Sequence, residues 1–274
     1  MMIELAPRHK IGLPLASPVL IAAGFGGYGD AYQRWLDLSV FGAVVTRPVT
    51  LRPERGSAGP RVAESGGGMI IDTGRQNPGV KKVLQQYGRV WRRLPCPVLA
   101  HLPADEPDNL QRTARALSSS NALAGLELGL PAAALPVDVA EWVLAMRDGS
   151  DLPLLAKIPL DAPLDLAEAA VEAGIDALVI GAAPAGAAEV GSPPTATLHG
   201  QFFGPAMFPL TLHRVHLLRT EFDVPLVAAG GIEALAQAQT LLQAGASAVQ
   251  LDTLLFVEPL RAEEMARALA IRKD

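Results

Sequence analysis

Residues 225–251 read Pro225-Leu-Val-Ala-Ala-Gly-Gly-Ile-Glu-Ala-Leu-Ala-Gln-Ala-Gln-Thr-Leu-Leu-Gln-Ala-Gly-Ala-Ser-Ala-Val-Gln-Leu251. Two short apolar runs, Pro225–Ala229 and Ala248–Leu251, flank an amphipathic stretch from Leu235 to Ala244. A run that is apolar at nearly every position suits a strand covered on both faces, as in a parallel sheet. Parallel neighbours need a crossover, and the amphipathic stretch supplies a helix for it. The segment Ala244-Gly-Ala-Ser-Ala248 between helix and strand fits a glycine in the left-handed conformation that ends a helix, and Ala173-Gly-Ile-Asp-Ala177 repeats the pattern. Working outward, six more runs of the same kind appear: Pro18–Ala23, Ala43–Thr46, Pro97–Ala100, Gly125–Leu128, Pro153–Lys157 and Ala177–Ile180. Eight strands, each followed by turn residues and helical periodicity, predict an α/β fold of the (β/α)8 TIM-barrel type rather than a doubly wound sheet.

The length fits. A chain of 274 residues suits one barrel domain over residues 1–274, since such barrels commonly run to about 250 residues. Ile3–Pro14 reads as an N-terminal hairpin that plugs one end of the barrel. Two long loops break the rhythm, residues 50–72 after the second strand and 182–207 after the sixth, the latter including Gly191-Ser-Pro-Pro194. Loops after strand C-termini form the active face of such barrels.

Half the residues are hydrophobic and 19% are charged, which is ample for one sizeable core. A net charge of -5 gives no electrostatic reason to expect nucleic acid as a partner. The cluster Arg89, Arg92 and Arg93 reads as a solvated helix end. The single cysteine, Cys96, excludes an intramolecular disulfide framework and fits a reducing, cytoplasmic setting; just before an apolar run, it reads as a structural thiol. No stretch reaches the roughly 18 uncharged apolar residues of a membrane helix, and the N-terminus lacks a basic segment followed by an apolar one. His213 and His216 fall three apart on an expected helix with no carboxylate partner fixed in sequence, so no metal is expected.

Chemistry-bearing residues gather at strand ends. Gly230-Gly231 follows the seventh strand and opens a helix, and Asp252-Thr253 follows the eighth. Barrels often hold phosphate there with backbone N–H groups, although a glycine pair also serves as a plain tight turn. Lys157 closes the fifth strand. Its ammonium has an available partner in Glu127 across the barrel, and a Schiff-base role would need a depressed pKa.

Three motifs carry a family resemblance: Ala23-Gly-Phe-Gly-Gly-Tyr-Gly29, Val45-Thr-Arg-Pro-Val-Thr50 and Ile71-Asp-Thr-Gly-Arg-Gln-Asn-Pro-Gly-Val80. With Leu155-Ala-Lys157 and Phe203-Gly-Pro-Ala206, they make the chain, from Ile11 to about Pro259, resemble the dihydroorotate dehydrogenase superfamily of class 1 type. That resemblance implies a flavin mononucleotide (FMN) barrel and a homodimer. It implies cofactor contacts at Ala23, Gly24, Gly204, Gly230, Gly231 and Thr253. Lys157 would then face the flavin's pyrimidine edge.

The departures fall on the chemistry. Where the family reads Glu-Leu-Asn-x-Ser-Cys-Pro-Asn, this chain reads Glu127-Leu-Gly-Leu-Pro-Ala-Ala-Ala134. Gly129 and Ala134 thus replace asparagines, and Ala132 replaces the cysteine that serves as general base, so no catalytic residue is assigned. Arg47 stands for a lysine, Ile71 for an asparagine, Arg75 for a leucine, and about Gly181-Ala182 for Asn-Thr or Asn-Ser. Loss of the base alone forfeits about 10² to 10⁴ in rate, and loss of the asparagines removes the groups that read the pyrimidine ring. Dihydroorotate oxidation is therefore not expected. Asp252 replaces a glycine whose N–H faces the phosphate. A carboxylate about 5 Å from a phosphate costs on the order of 3 kcal/mol at an effective dielectric of about 20, or roughly a hundredfold in affinity, unless the side chain turns away. The backbone N–H itself is expected to remain.

Arg47, Arg75 and His101 come from one face and together suit a small anionic molecule. The alternatives are a salt bridge from Arg75 to Asp72 or Glu64 and a satisfied buried histidine at His101. Two functions follow: a flavin oxidoreductase with a remodelled pocket, or a barrel without redox chemistry that binds a ligand or partner.

Overall fold

The computed structural model describes residues 2–191 and 195–270. Ser192–Pro194 of the second long loop lie outside the described residues, as does Ile271, up to which the amphipathic pattern of Leu260–Ile271 predicts a last helix. All eight apolar runs form strands: β1 (Val19–Ile21), β2 (Ala43–Pro48), β3 (Val98–Pro103), β4 (Gly125–Gly129), β5 (Leu154–Pro159), β6 (Ala177–Ala182), β7 (Leu226–Ala229) and β8 (Ala248–Leu251). They pair in parallel, each with the next, and β8 closes on β1 to complete the barrel.

Both faces of each strand are apolar for a visible reason. Inward positions such as Leu20, Val45, Leu99, Leu155, Val179 and Val227 fill the barrel interior. Their neighbours Val19, Val44, Val98, Leu154, Leu178 and Leu226 belong instead to the cluster packed under the helices. Each fully buried leucine or valine contributes about 1.5–3 kcal/mol. The hairpin pairs Ile3 with Leu15 and Glu4 with Pro14, and sends Leu5, Ala6, Leu13 and Leu15 into the interior cluster. It plugs the end where the strands begin, as the sequence indicates.

The helices are α1 (Val80–Trp91), α2 (Pro107–Ser118), α3 (Pro136–Gly149), α4 (Leu164–Glu172), α5 (Phe208–Glu221), α6 (Leu235–Gln243), α7 (Leu254–Val257) and α8 (Pro259–Leu269). After α4 and α6, Gly174 and Gly245 take φ of 98° and 108°, and the amides of Ile175 and Ala246 reach back to the carbonyls of Ala170 and Leu241. Those bonds satisfy carbonyls that the last helical turn leaves open.

One expectation needs correction. The segment between β1 and β2 holds only turns and one 3₁₀ turn, Leu38–Val40, where an α-helix was expected. It carries five glycines, Gly24, Gly26, Gly27, Gly29 and Gly42, of which Gly24, Gly27 and Gly29 have positive φ, which breaks helical geometry. The two long loops, found where the sequence places them, meet each other. They join in one four-stranded antiparallel sheet in the order Ala185–Val190, Ala196–Phe203, Gly68–Ile71 and Val62–Ser65. Among the described residues no helix is long and apolar enough to cross a membrane.

Candidate functional site

The inward parity of the strands changes character toward their C-terminal ends. Leu99 is followed inward by His101, Leu155 by Lys157, Gly125 by Glu127, and Ala248 by Gln250. These four polar side chains join into one buried network. Lys157 Nζ donates to Gln250 Oε1 at 3.0 Å, and Gln250 Nε2 donates to Glu127 Oε2 at 2.6 Å. His101 Nδ1 lies 2.9 Å from the other oxygen, Glu127 Oε1. Burial alone pushes the Glu127 carboxyl up, but the charge of Lys157 and the bonds from His101 and Gln250 together hold it below the usual carboxylate range. An ionised carboxylate only accepts, so Nδ1 of His101 is assigned a proton, which it donates to Glu127. Every member is satisfied, which is the condition for a buried polar network to be tolerated.

Above the network lies a cavity of about 420 Å³, within the range of small-molecule sites. Ala23, Gly24, Arg75, His101 and Lys157 all line it, so five candidates meet there. A hollow of similar volume between Gln33, Asp37 and Arg93 lies on the flank of the barrel and carries none of them. The joint sheet roofs the cavity with Ile71, Gln201 and Phe203. An aromatic wall, not evident in the sequence, completes it: Phe25 meets Phe203 edge-on at 5.3 Å and Phe256 at 4.7 Å.

Other candidates stand elsewhere. Arg47 turns away from the cavity; its guanidinium lies 5.8 Å from the Tyr28 ring centroid and donates to the carbonyl of Gln76. Arg75 pairs with Glu54 at 3.2 Å, rather than with Asp72 or Glu64, and also donates to the Ala104 carbonyl. It does so with φ of 53°, a left-handed conformation unusual for a side-chain-bearing residue. The Asn77 of the third motif is a tie rather than a ligand group: its Oδ1 accepts from the Thr50 hydroxyl and the Gly79 amide, which fixes the entry to α1. Cys96 is buried, and burial pushes its thiol up to about 12, which suits a structural thiol.

At the end of β4, the side chain absent at Gly129 has been replaced in space. A Cβ on Gly129 would stand 2.5 Å from Cε1 of His101. The imidazole, oriented by Glu127, therefore takes the room that an asparagine there needs. Ala132 sits in the short connection between Gly129 and Pro136, is exposed, and does not line the cavity.

At the end of β8 the reverse has happened. The Asp252 side chain is only 4% exposed and its Oδ1 accepts from the Thr253 amide at 2.6 Å and the Thr253 hydroxyl at 3.1 Å. Burial raises its pKa, against the opposing pull of the Thr253 amide and Lys157. The amide that the carboxylate takes is that of Thr253, one residue beyond the Asp252 amide that was expected to remain. Gly230 and Gly231 are buried and do not line the cavity; a Cβ on Gly231 would stand 2.2 Å from the Phe208 amide nitrogen. The missing side chain lets the Phe208 backbone approach Gly231 and the Thr211 hydroxyl approach Gly230. Gly204 likewise lies against Gly68, and Thr253 is 1% exposed.

The residues thus fit one half of FMN. The cavity, the Ala23-Gly24 backbone, the aromatic wall and the Lys157 ammonium suit a flavin ring. The strand-eight end does not suit its phosphate, because the Asp252 carboxylate lies there and holds the Thr253 amide and hydroxyl.

The family model described as "Dihydroorotate dehydrogenase" matches residues 8–272. Among curated relatives, the chain is similar to the protein named dihydroorotate dehydrogenase B (NAD(+)), catalytic subunit, of Geotalea uraniireducens, at 30% identity over 94% of this chain and 90% of that one. The protein of the same name from Bacillus pumilus is 30% identical over 94% and 88%, and that from Pelobacter propionicus 31% over 94% and 90%. The eight-stranded parallel barrel, the Lys157 floor and these matches agree, and the chain belongs to the dihydroorotate dehydrogenase family of flavin-dependent oxidoreductases.

Proposed function

We propose that this family member is a flavin-dependent oxidoreductase with a rebuilt substrate pocket, and that it does not oxidise dihydroorotate. One observation carries the reading: the His101 imidazole, held by Glu127 at 2.9 Å, fills the space beside Gly129 that a substrate-reading asparagine would need. A site built to hydrogen-bond its substrate discriminates by about 10⁴ to 10⁵, so replacing its polar groups reassigns its specificity. The position of the family's proton-abstracting cysteine is Ala132, which has no group to accept a proton. His101 Nε2 is the acceptor that the cavity wall offers in its stead.

The substrate is a small anion. Arg75 stands on the wall towards β2–β4, with Lys157 at the floor, and guanidinium and ammonium groups suit a carboxylate, while His101 presents its acceptor beside them. Arg47 takes no part, since its guanidinium is engaged by Tyr28 and Gln76. When bound, the flavin would supply hydride acceptance; a cation near its pyrimidine edge favours that, and Lys157 is the residue for it. The resemblance adds a homodimer, and the single cysteine, Cys96, fits a cytoplasmic setting.

A second reading, a ligand- or partner-binding barrel without redox chemistry, is favoured by Asp252, whose carboxylate occupies the Thr253 amide. The visible spectrum of the purified protein separates the two, taken before and after incubation with excess riboflavin or FMN and desalting. Flavin bands that survive desalting support the oxidoreductase. A protein left colourless by both flavins contradicts it and leaves the second reading.

A further inference from the structure

We propose that Asp252 is a built-in anion that closes the phosphate end of the cavity, so that the cavity takes a flavin ring carrying no phosphate. This rests on the flavin reading above and narrows its ligand. In (β/α)8 barrels the ends of the seventh and eighth strands and the start of a short extra helix form a site where backbone amides meet a phosphate. Here that place is Gly230-Gly231, Asp252-Thr253 and the start of α7.

Four observations converge there. Both polar hydrogens of Thr253, amide and hydroxyl, are already directed at Asp252 Oδ1, at 2.6 and 3.1 Å. The carboxylate is almost fully buried yet lines the cavity, so a phosphate reaching those donors would have to displace it and leave a buried carboxylate without partners. A second carboxylate, Glu233 just beyond β7, stands near enough that Asp252 pushes its pKa up further after burial has raised it. Third, the room beside Gly231 holds the Phe208 backbone, with 2.2 Å to a hypothetical Cβ. Fourth, the wall adjoining Asp252 is aromatic, Phe25, Phe203 and Phe256, which suits a ring better than a dianion. The cation of the cavity floor, Lys157, is shared with Glu127 through Gln250.

The test is a pair of fluorescence-quenching titrations, with riboflavin and with FMN, on the wild-type chain and on Asp252→Gly. Wild type is expected to bind riboflavin at least tenfold more tightly than FMN. In Asp252→Gly, FMN affinity is expected to rise by about a hundredfold, the size of a carboxylate–phosphate repulsion at close range, while riboflavin affinity changes little. Asp252→Asn, which keeps the shape and drops the charge, should recover part of that gain if removal of the side chain disturbs α7. Wild-type protein that binds FMN as tightly as riboflavin overturns the proposal and leaves the flavin reading standing. So does an FMN affinity that neither variant changes. Binding of neither flavin by any of the three proteins overturns both.

Discussion

At the end of β4 the cavity wall has lost a side chain relative to the family pattern, whereas at the end of β8 it has gained one. The room beside Gly129 is filled by His101 from the neighbouring strand, with Glu127 fixing the ring. Gain at Asp252 consumed room, and the new carboxylate bonded to the nearest donors, the amide and hydroxyl of Thr253. Between the two ends the network of Lys157, Gln250 and Glu127 ties the barrel floor together. The difference teaches that a site's edges can be rewritten in either direction while its buried floor holds. The edges are set by single strand-end residues. The floor is set by charges that must all be paired at once.

The largest effect should come from breaking what the two ends share. Glu127→Ala leaves Lys157 without its compensating charge and frees His101, so we expect a loss of about 3–5 kcal/mol in urea unfolding at neutral pH. The pH dependence has a definite sign. The folded pKa of Glu127 lies below its ordinary value of 4.5, so its contribution is full above that value and is lost as pH falls through the folded pKa. The gap between variant and wild type should therefore narrow in acid. A gap that persists unchanged at acid pH would show that the carboxylate's charge is not what matters.

Next in size is Gly231→Ala. Its φ of 75° and the 2.2 Å approach to the Phe208 amide nitrogen should together cost about 2–3 kcal/mol in thermal or urea unfolding. A neutral result would mean that the strand-seven turn is loose enough to admit a ligand.

A double-mutant cycle sharpens the β4 end. Gly129→Ala should destabilise the wild type because the new methyl meets His101, yet be nearly neutral in a His101→Ala background. The coupling should be about 1–2 kcal/mol. Additivity would separate the two residues and remove the idea that one fills the other's place.

The smallest effect belongs to β8. Asp252 has a folded pKa raised above its ordinary value of 3.8, so the native state binds the extra proton and stability falls as pH rises from 3.8 through the folded value. Asp252→Asn removes that penalty, and its stability relative to wild type should climb over the same interval, by under about 1 kcal/mol because the bond to Thr253 is weakened at the same time. Thermal melts across pH check it; a difference that shrinks with rising pH would reverse the assigned direction.

Much of the fold was legible in the sequence because its signals are local. Each strand is apolar on both faces, so the eight runs stand out without knowledge of their partners, and Gly174 and Gly245 mark helix ends by a backbone need that few other residues meet. The best-conveyed motif around Asn77 was legible because it is scaffolding, tying Thr50 to Gly79. What was illegible depends on distant contacts. Nothing near residue 62 or 185 announces that the two long loops share a sheet. Glu54 outcompetes the nearer Asp72 and Glu64 for Arg75 because an antiparallel bridge between Glu54 and Asn77 brings the two stretches together. Arg47 lies against Tyr28 instead of the cavity, and the aromatic wall draws on a turn, a strand and a helix far apart in the chain. The candidate site was therefore visible as a set of strand ends, but not which of them face one another.

The most direct measurement is orotate formation. The purified chain, supplied with riboflavin or FMN and an excess of dihydroorotate, would be followed by chromatography for orotate against a flavin-only control. We expect none above the control, since Ala132 offers no base and His101 stands where the substrate's ring would be read. Sustained orotate formation, abolished by Lys157→Ala, would contradict the rebuilt pocket and return the chain to the family's ordinary reaction.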